Sequence, residues 1–222
     1  MMGIPTDEDE RKLPKDCGNM PDLTSLTDQQ VLMLTLNLFF RGAYRSSPQV
    51  KQLVINFVRL LDQALWAYKN ARRELEAYTS PANQQGGITI GHYYRLISHC
   101  ETCVNSLYRA LKFIERLRRQ GIQKSDTTPL IPDPTTLSSL KDTVRQKVRA
   151  VRDAIEHTDK DIARKEIPEG QPISLAATND GVEITGKDRC VKGISYADLA
   201  TWLQQLHGLA KNLAEYAESK PV

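Results

Sequence analysis

Eight residues constrain the architecture of this chain more than any others. Ile90, Tyr93, Ile97, Cys100, Val104, Leu107, Leu111 and Ile114 follow one another at alternating steps of three and four. An α-helix returns to the same side every 3.6 residues, so this spacing draws one apolar seam along about seven turns. Such a seam has to be covered by other helices, which makes this the central helix of a bundle. It is expected to stop near Gly121, after Arg116, Arg118 and Arg119, three cations that suit the negative end of a helix.

The flanking sequence supplies the covering helices. A first helix is expected from Thr27 to Arg41; it is apolar nearly all round, which predicts burial against its neighbours. Ser47-Pro48 places a capping hydroxyl before a proline at the first helical position. Val50, Val54, Phe57, Leu61 and Ala64 then recur at helical spacing until Ser80-Pro81 ends the segment, and residues 81–87 read as a loop. Residues 122–132 read as a linker. Asp133-Pro134 repeats the cap-then-proline signal, so a fourth helix is expected from there to about Arg164, with Val144, Val148, Val151 and Ile155 inward. Residues 172–177 and 182–185, joined by Thr178-Asn179-Asp180-Gly181, predict a β-hairpin, and residues 189–194 add a short third strand. Ser195 and Asp198 form a capping box that opens a last helix with the stripe Leu199, Trp202, Leu206, Leu209, Leu213 and Tyr216. The fold class is mainly α: an up-and-down bundle of about five helices with a small β-hairpin, at about 172–194, before the last one. Residues 1–26 are expected to be a flexible tail and 27–222 a single domain.

Composition narrows the functional classes. Apolar residues make up 40% and charged residues 26% of the chain, the balance of a globular protein. A net charge of +3 is too small to argue for nucleic-acid binding by itself. Four cysteines, at 17, 100, 103 and 190, are too sparse for a secreted disulfide scaffold. Cys100 and Cys103 beside His99 have a zinc-like spacing. A structural zinc site needs four ligands, however, and Cys100 lies on the apolar seam, so no metal and no cofactor is expected. The N-terminal residues contain no apolar signal region, and the run 31–40 is shorter than the roughly 20 residues that span a bilayer. A membrane-surface helix would carry a Lys/Arg-rich polar face that this run lacks. The expectation is a cytoplasmic protein with no membrane partner.

The candidate site lies on the fourth helix. At about 100° per residue, Arg152 and His157 stand about 140° apart with Asp153 and Glu156 between them, on an arc facing away from the valine stripe. Arginine offers a fixed positive fork for phosphate and for charge developing on it. Histidine titrates near neutrality and can move protons on and off oxygen. Together they suit RNA cleavage without a metal, in which the ribose 2′-hydroxyl attacks the adjacent phosphate and leaves a 2′,3′-cyclic phosphate. Arg145 and Arg149 extend a basic stripe along the same helix that can track a phosphate backbone.

Arg152-Asp153, followed by His157 after four intervening residues on a late helix of an α-bundle, resembles the signature of the HEPN superfamily: Arg, then a polar residue, then His after four to six positions. The resemblance extends over residues 47–165. It implies catalytic roles for Arg152 and His157 and a supporting role for Asp153. Many members of that superfamily are metal-independent endoribonucleases found among toxins, abortive-infection proteins and CRISPR effectors, and their sites are usually composite. The resemblance therefore implies RNA as substrate, a homodimer that completes the site, and an antitoxin or other regulatory partner. Other members retain a binding role without activity.

Plainer readings stand beside this one. Arg152 and Glu156, four residues apart, have the spacing of an ordinary surface ion pair, and His157 that of a solvated residue. Arg145, Arg149 and Arg152, with Asp142, Asp153, Glu156 and Asp159, also make up a balanced charged face. A silent helical module that binds a nucleotide, RNA or protein is the alternative function, and a scaffold that docks through residues 31–40 is a third.

Overall fold

The computed structural model describes residues 13–16, 18–27, 30–41, 44, 47–84, 89–121, 123–125, 128–129, 131–163, 175–184 and 193–215. Among them are six α-helices: α1 Gln30–Leu36, prolonged by a π-helical turn Asn37–Arg41, α2 Pro48–Thr79, the short α3 Pro81–Gln84, α4 Thr89–Arg119, α5 Asp142–Ala163 and α6 Tyr196–Glu215. A two-stranded ribbon, β1 Gln123–Ser125 and β2 Thr128–Pro129, follows α4. An antiparallel sheet in the order β3 Leu175–Ala177, β4 Gly181–Ile184, β5 Gly193–Ser195 precedes α6. The mainly helical class and the small sheet before the last helix are as the sequence pattern predicts.

The two longest helices, α2 and α4, pack along each other and form the spine. The Ser47 hydroxyl accepts the Val50 N–H at 3.4 Å, with Pro48 opening α2. Gly121 follows α4 with φ of 64°, the left-handed conformation that lets a helix end in a reversed turn. The seam of α4 is buried from Ile97 to Ile114, but Ile90 at its start is exposed and Tyr93 partly buried, so full burial begins two turns later than the periodicity. Leu96, Cys103, Ala110 and Leu117 widen it into a buried face. Each fully buried aliphatic side chain contributes about 1.5–3 kcal/mol. Helix α6 lies against α2, and α5 against α4.

Pro81–Gln84 is helical and Gln123–Ser125 pairs with Thr128–Pro129 where a loop and a linker were expected, and three larger features also depart from the sequence-based expectation. Residues 18–26, read as part of a flexible tail, form a strap on the spine: Met20 and Leu23 are buried, Tyr68 Oη donates to the Pro21 carbonyl at 2.9 Å, and Asn19 Nδ2 donates to Asp180 Oδ1 at 2.8 Å. Helix α5 begins at Asp142 rather than Asp133. Asp133 Oδ1 instead accepts the N–H and hydroxyl of Thr135, closing a local turn, and a 3-10 turn Ser138–Leu140 follows. Gln205 of α6 accepts from the Ser139 N–H at 2.9 Å and the Ser138 hydroxyl at 3.1 Å, which ties that turn to the last helix.

The third departure is α1. Burial on all sides was expected, yet Leu32, Met33, Leu36, Phe39 and Phe40 are exposed while Gln30 and Asn37 are buried. Asn37 turns inward where it finds a carbonyl partner, and Gln30 turns toward His207. Asn37 Nδ2 donates to the Ala214 carbonyl, and the Gln30 amide lies 3.4 Å from His207 Nε2.

The sheet is held in register by close backbone approach. Leu175 faces Ile184 and Ala177 faces Val182 across the β3–β4 pair. A Cβ at Gly181 would run into the Ile194 carbonyl, so only glycine fits where β4 meets β5. Ser195 Oγ accepts the Asp198 N–H at 3.1 Å and caps α6 as its sequence predicts. Tyr216, Cys17 and Cys190, and residues 172–174, 185 and 189–192 of the hairpin region, lie outside the described residues.

Candidate functional site

Val144, Val148 and Val151 form the buried stripe of α5, and Ile155 packs partly against the same core. That orientation leaves Arg149, Arg152, Asp153, Glu156 and His157 on the outer side, as the wheel predicts. Arg152, next to Val151, lies at the edge of the stripe and its side chain folds back toward α4. Its guanidinium carbon stands 5.1 Å from the centre of the Tyr108 ring, and Lys112 Nζ lies 4.5 Å from the same centre. Tyr108 thus attracts two cations through its π-face.

The arginine is also engaged by carboxylates of its own helix. Arg152 Nη1 donates to Asp153 Oδ1 at 2.9 Å and Nη2 pairs with Glu156 Oε1. Arg149 Nε donates to the other Asp153 oxygen at 3.3 Å. Burial by itself would lower the Arg152 pKa, but Asp153 and Glu156 outweigh it and hold the guanidinium above its ordinary value. Burial would raise the Asp153 carboxyl, but the hydrogen bonds from Arg152 and Arg149 prevail and hold it below the usual carboxylate range. At neutral pH Arg152 and Asp153 are therefore an ionised pair.

His157 is exposed one turn beyond Asp153 and makes no hydrogen bond or ion pair among the described residues. The structure thus brings Arg149, Arg152, Asp153 and Glu156 into one network, with His157 as the free histidine on the same side of the helix. Arg145 is not part of that network. It pairs with Glu115 of α4 and with Asp142, a separate cross-helix contact about 10 Å up the helix axis from Arg152. One hollow, bounded by Leu111, Glu115, Ile131, Leu140 and Arg145, adjoins that contact; it has room for about one water and does not include Arg152 or His157.

Tyr108 is not among the residues that the sequence assigns to the site. Its spacing to Lys112 is the helical i,i+4 step, which was available, whereas its contact with Arg152 joins residues 44 positions apart and depends on how α5 docks on α4. The zinc-like pair is part of the core: Cys100 and Cys103 are both buried, and burial pushes the Cys100 thiol up to about 12. Among the described residues no three His, Cys, Asp or Glu side chains are grouped to hold a metal ion. Likewise, no described helix is long and apolar enough to cross a membrane.

A second polar cluster joins α2 to α4. His92 Nδ1–H donates to Glu74 Oε2 at 2.6 Å, and Arg95 Nε donates to the same oxygen at 3.0 Å. Burial would raise the Glu74 carboxyl, but His92 and Arg95 outweigh it and hold it below its ordinary value. The cluster sits beside the packed rings of Tyr78, Tyr93 and Tyr94 and ties the start of α4 to the end of α2.

No protein-family model, no curated protein and no solved structure matches this chain, so the geometry of α5 and its chemistry carry the functional reading.

Proposed function

We propose that this protein is a HEPN-like, metal-independent endoribonuclease acting as a homodimer. The observation that carries the reading is the pairing, on one outer face of α5, of a ring-supported arginine with an exposed, unengaged histidine. Among the described residues, Asp153 and Glu156 engage two of the five N–H groups of Arg152, which leaves three for phosphate oxygens. In the proposed step His157 takes the proton of the ribose 2′-hydroxyl. The 2′-oxygen forms a bond to phosphorus as the bond to the 5′-oxygen breaks, and Arg152 balances the charge that develops on the phosphate. A protonated His157 from a second copy returns a proton to the departing 5′-oxygen. The arc of one copy is an open face, so this reading places a second copy of α5 opposite it. Arg149 reaches along the backbone, and Asp153 and Glu156 orient the arginine. A role in defence or stress, with an antitoxin as regulator, follows from the same resemblance.

The test is incubation of the purified protein with single-stranded RNA in EDTA, followed by analysis of the new ends. The reading requires fragments ending in 2′,3′-cyclic phosphate. Hydrolysis to 3′-hydroxyl and 5′-phosphate ends contradicts it.

A second reading has an observation in its favour. Two carboxylates on the arginine repel a phosphate, and a silent module that binds a nucleotide, RNA or protein would tolerate them. Retention of RNA on the protein with no cleavage under any condition separates this reading from the first.

A further inference from the structure

Between Val31 and Phe40 the chain has no charged residue. A helix of that composition on a globular protein ordinarily turns its apolar side inward. In α1 the orientation is reversed. Leu32, Met33 and Leu36 lie on one arc of about 100° at helical spacing, and Phe39 and Phe40 follow in the π-helical turn. Phe39 and Phe40 are 76% and 81% exposed, and Leu32 is 57% exposed.

The reversal is pinned at several points. Asn37 Nδ2 donates to the Ala214 carbonyl, the Val31 N–H donates to Asp62 Oδ2 at 3.1 Å, and His207 Nε2–H donates to the Thr27 carbonyl at 2.7 Å. Leu34 fills the buried side between Gln30 and Asn37. Rolling the helix to hide its phenylalanines would break these bonds and bring Leu34 out, so the apolar face is committed to the outside.

At these exposures the five side chains and Val31 present on the order of 600 Å² of apolar surface, more than monomeric proteins usually leave open. Two such faces together would bury about 1,200 Å², the lower bound for a specific interface. The face has no charge, so a copy related by a twofold axis meets no like-charge repulsion, and it offers a charged partner nothing to pair with. A second copy supplies the matching surface: uncharged, apolar and of the same extent.

We infer that the outward face of α1 is a surface through which two copies of this chain associate. The inference does not rest on the ribonuclease reading, because α1 packs on α2 and α6 whereas the helix of Arg152 packs on α4. It is a contact separate from the pairing of α5 faces which that reading requires.

The test is sedimentation of the full chain over a hundredfold range of concentration. The wild-type protein is expected to sediment at twice the chain mass through α1 alone, and at a larger multiple where the α5 faces pair as well. The double substitution Phe39→Glu, Phe40→Glu is expected to halve the sedimenting mass with unchanged helical circular dichroism. If that variant loses helicity, Leu32→Glu gives the same readout at a single position. Wild-type protein that stays at one chain mass throughout overturns the inference, including protein that instead floats with phospholipid vesicles. A sedimenting mass that the glutamate substitutions leave unchanged overturns it too. RNA cleavage by the wild-type chain and its loss in α5 variants are scored separately, so either proposal can fail without the other.

Discussion

The guanidinium of Arg152 on α5 lies over the ring of Tyr108 on α4, 5.1 Å from its centre. This contact turns the arginine from a freely waving surface residue into one held from below by a ring and from the side by Asp153 and Glu156. An immobilised cation has less rotamer freedom to lose when a phosphate arrives.

Removing the ring should therefore act on the arginine. Tyr108→Ala is expected to destabilise the fold by about 1–3 kcal/mol, through lost packing and two lost cation–π contacts. It should also reduce RNA cleavage at least tenfold. Tyr108→Phe keeps the π-face and should retain most of both. Thermal melts and initial cleavage rates on the two variants check this, and equal loss in both would show that the ring is not what supports Arg152.

Glu74 gives a pH-dependent prediction. Burial would raise its carboxyl, but His92 and Arg95 outweigh it and hold the group below its ordinary value in the folded chain. A depressed folded-state pKa adds stability above the unfolded value, and that stability is lost as pH falls through the folded value. Glu74→Gln is expected to cost about 1 kcal/mol at pH 7, a fall of about 2–4 °C in Tm for a chain of this size. The difference from wild type should shrink as the pH drops below about 4. A gap that stays constant down to pH 3 would contradict the assignment.

Tyr196 offers a stabilising change. Its ring is fully buried at the start of α6, and its hydroxyl has no hydrogen-bond partner among the described residues. A buried donor left unpaired costs about 1–3 kcal/mol. Tyr196→Phe removes that donor and keeps the ring, so its denaturation midpoint should equal or exceed that of the wild type. A clear loss of stability would mean that the hydroxyl is paired after all.

The long helices were legible in the sequence because their signal is local and repeated. The α4 seam is drawn by eight residues, and the Ser47-Pro48 and Ser195 caps are decided within four positions of themselves. The start of α5 was not legible, because an aspartate followed by proline and threonine closes an Asx turn as readily as it caps a helix. Here Gln205, some 66 residues away, secures the non-helical alternative at Ser139. The facing of α1 was hidden for a related reason. A helix apolar on every side carries no periodicity to orient it, and the partners that draw Gln30 and Asn37 inward come from the far end of the chain.

The same division runs through the candidate site. The grouping of Arg152, Asp153, Glu156 and His157 on one side of α5 follows from helical spacing alone. That Arg152 rests on Tyr108 while Arg145 is taken up by Glu115 depends on how two helices meet, which spacing within either helix does not encode.

The central claim is that Arg152 and His157 together cleave RNA. Its most direct measurement is the cleavage rate of single-stranded RNA in EDTA for the wild-type protein, Arg152→Ala, His157→Ala and the double variant, each with its circular dichroism recorded. The account predicts cleavage by the wild type, a loss of at least a hundredfold in each single variant, and little further loss in the double variant, because the two residues act in one step. Folded variants that cleave at the wild-type rate would contradict it.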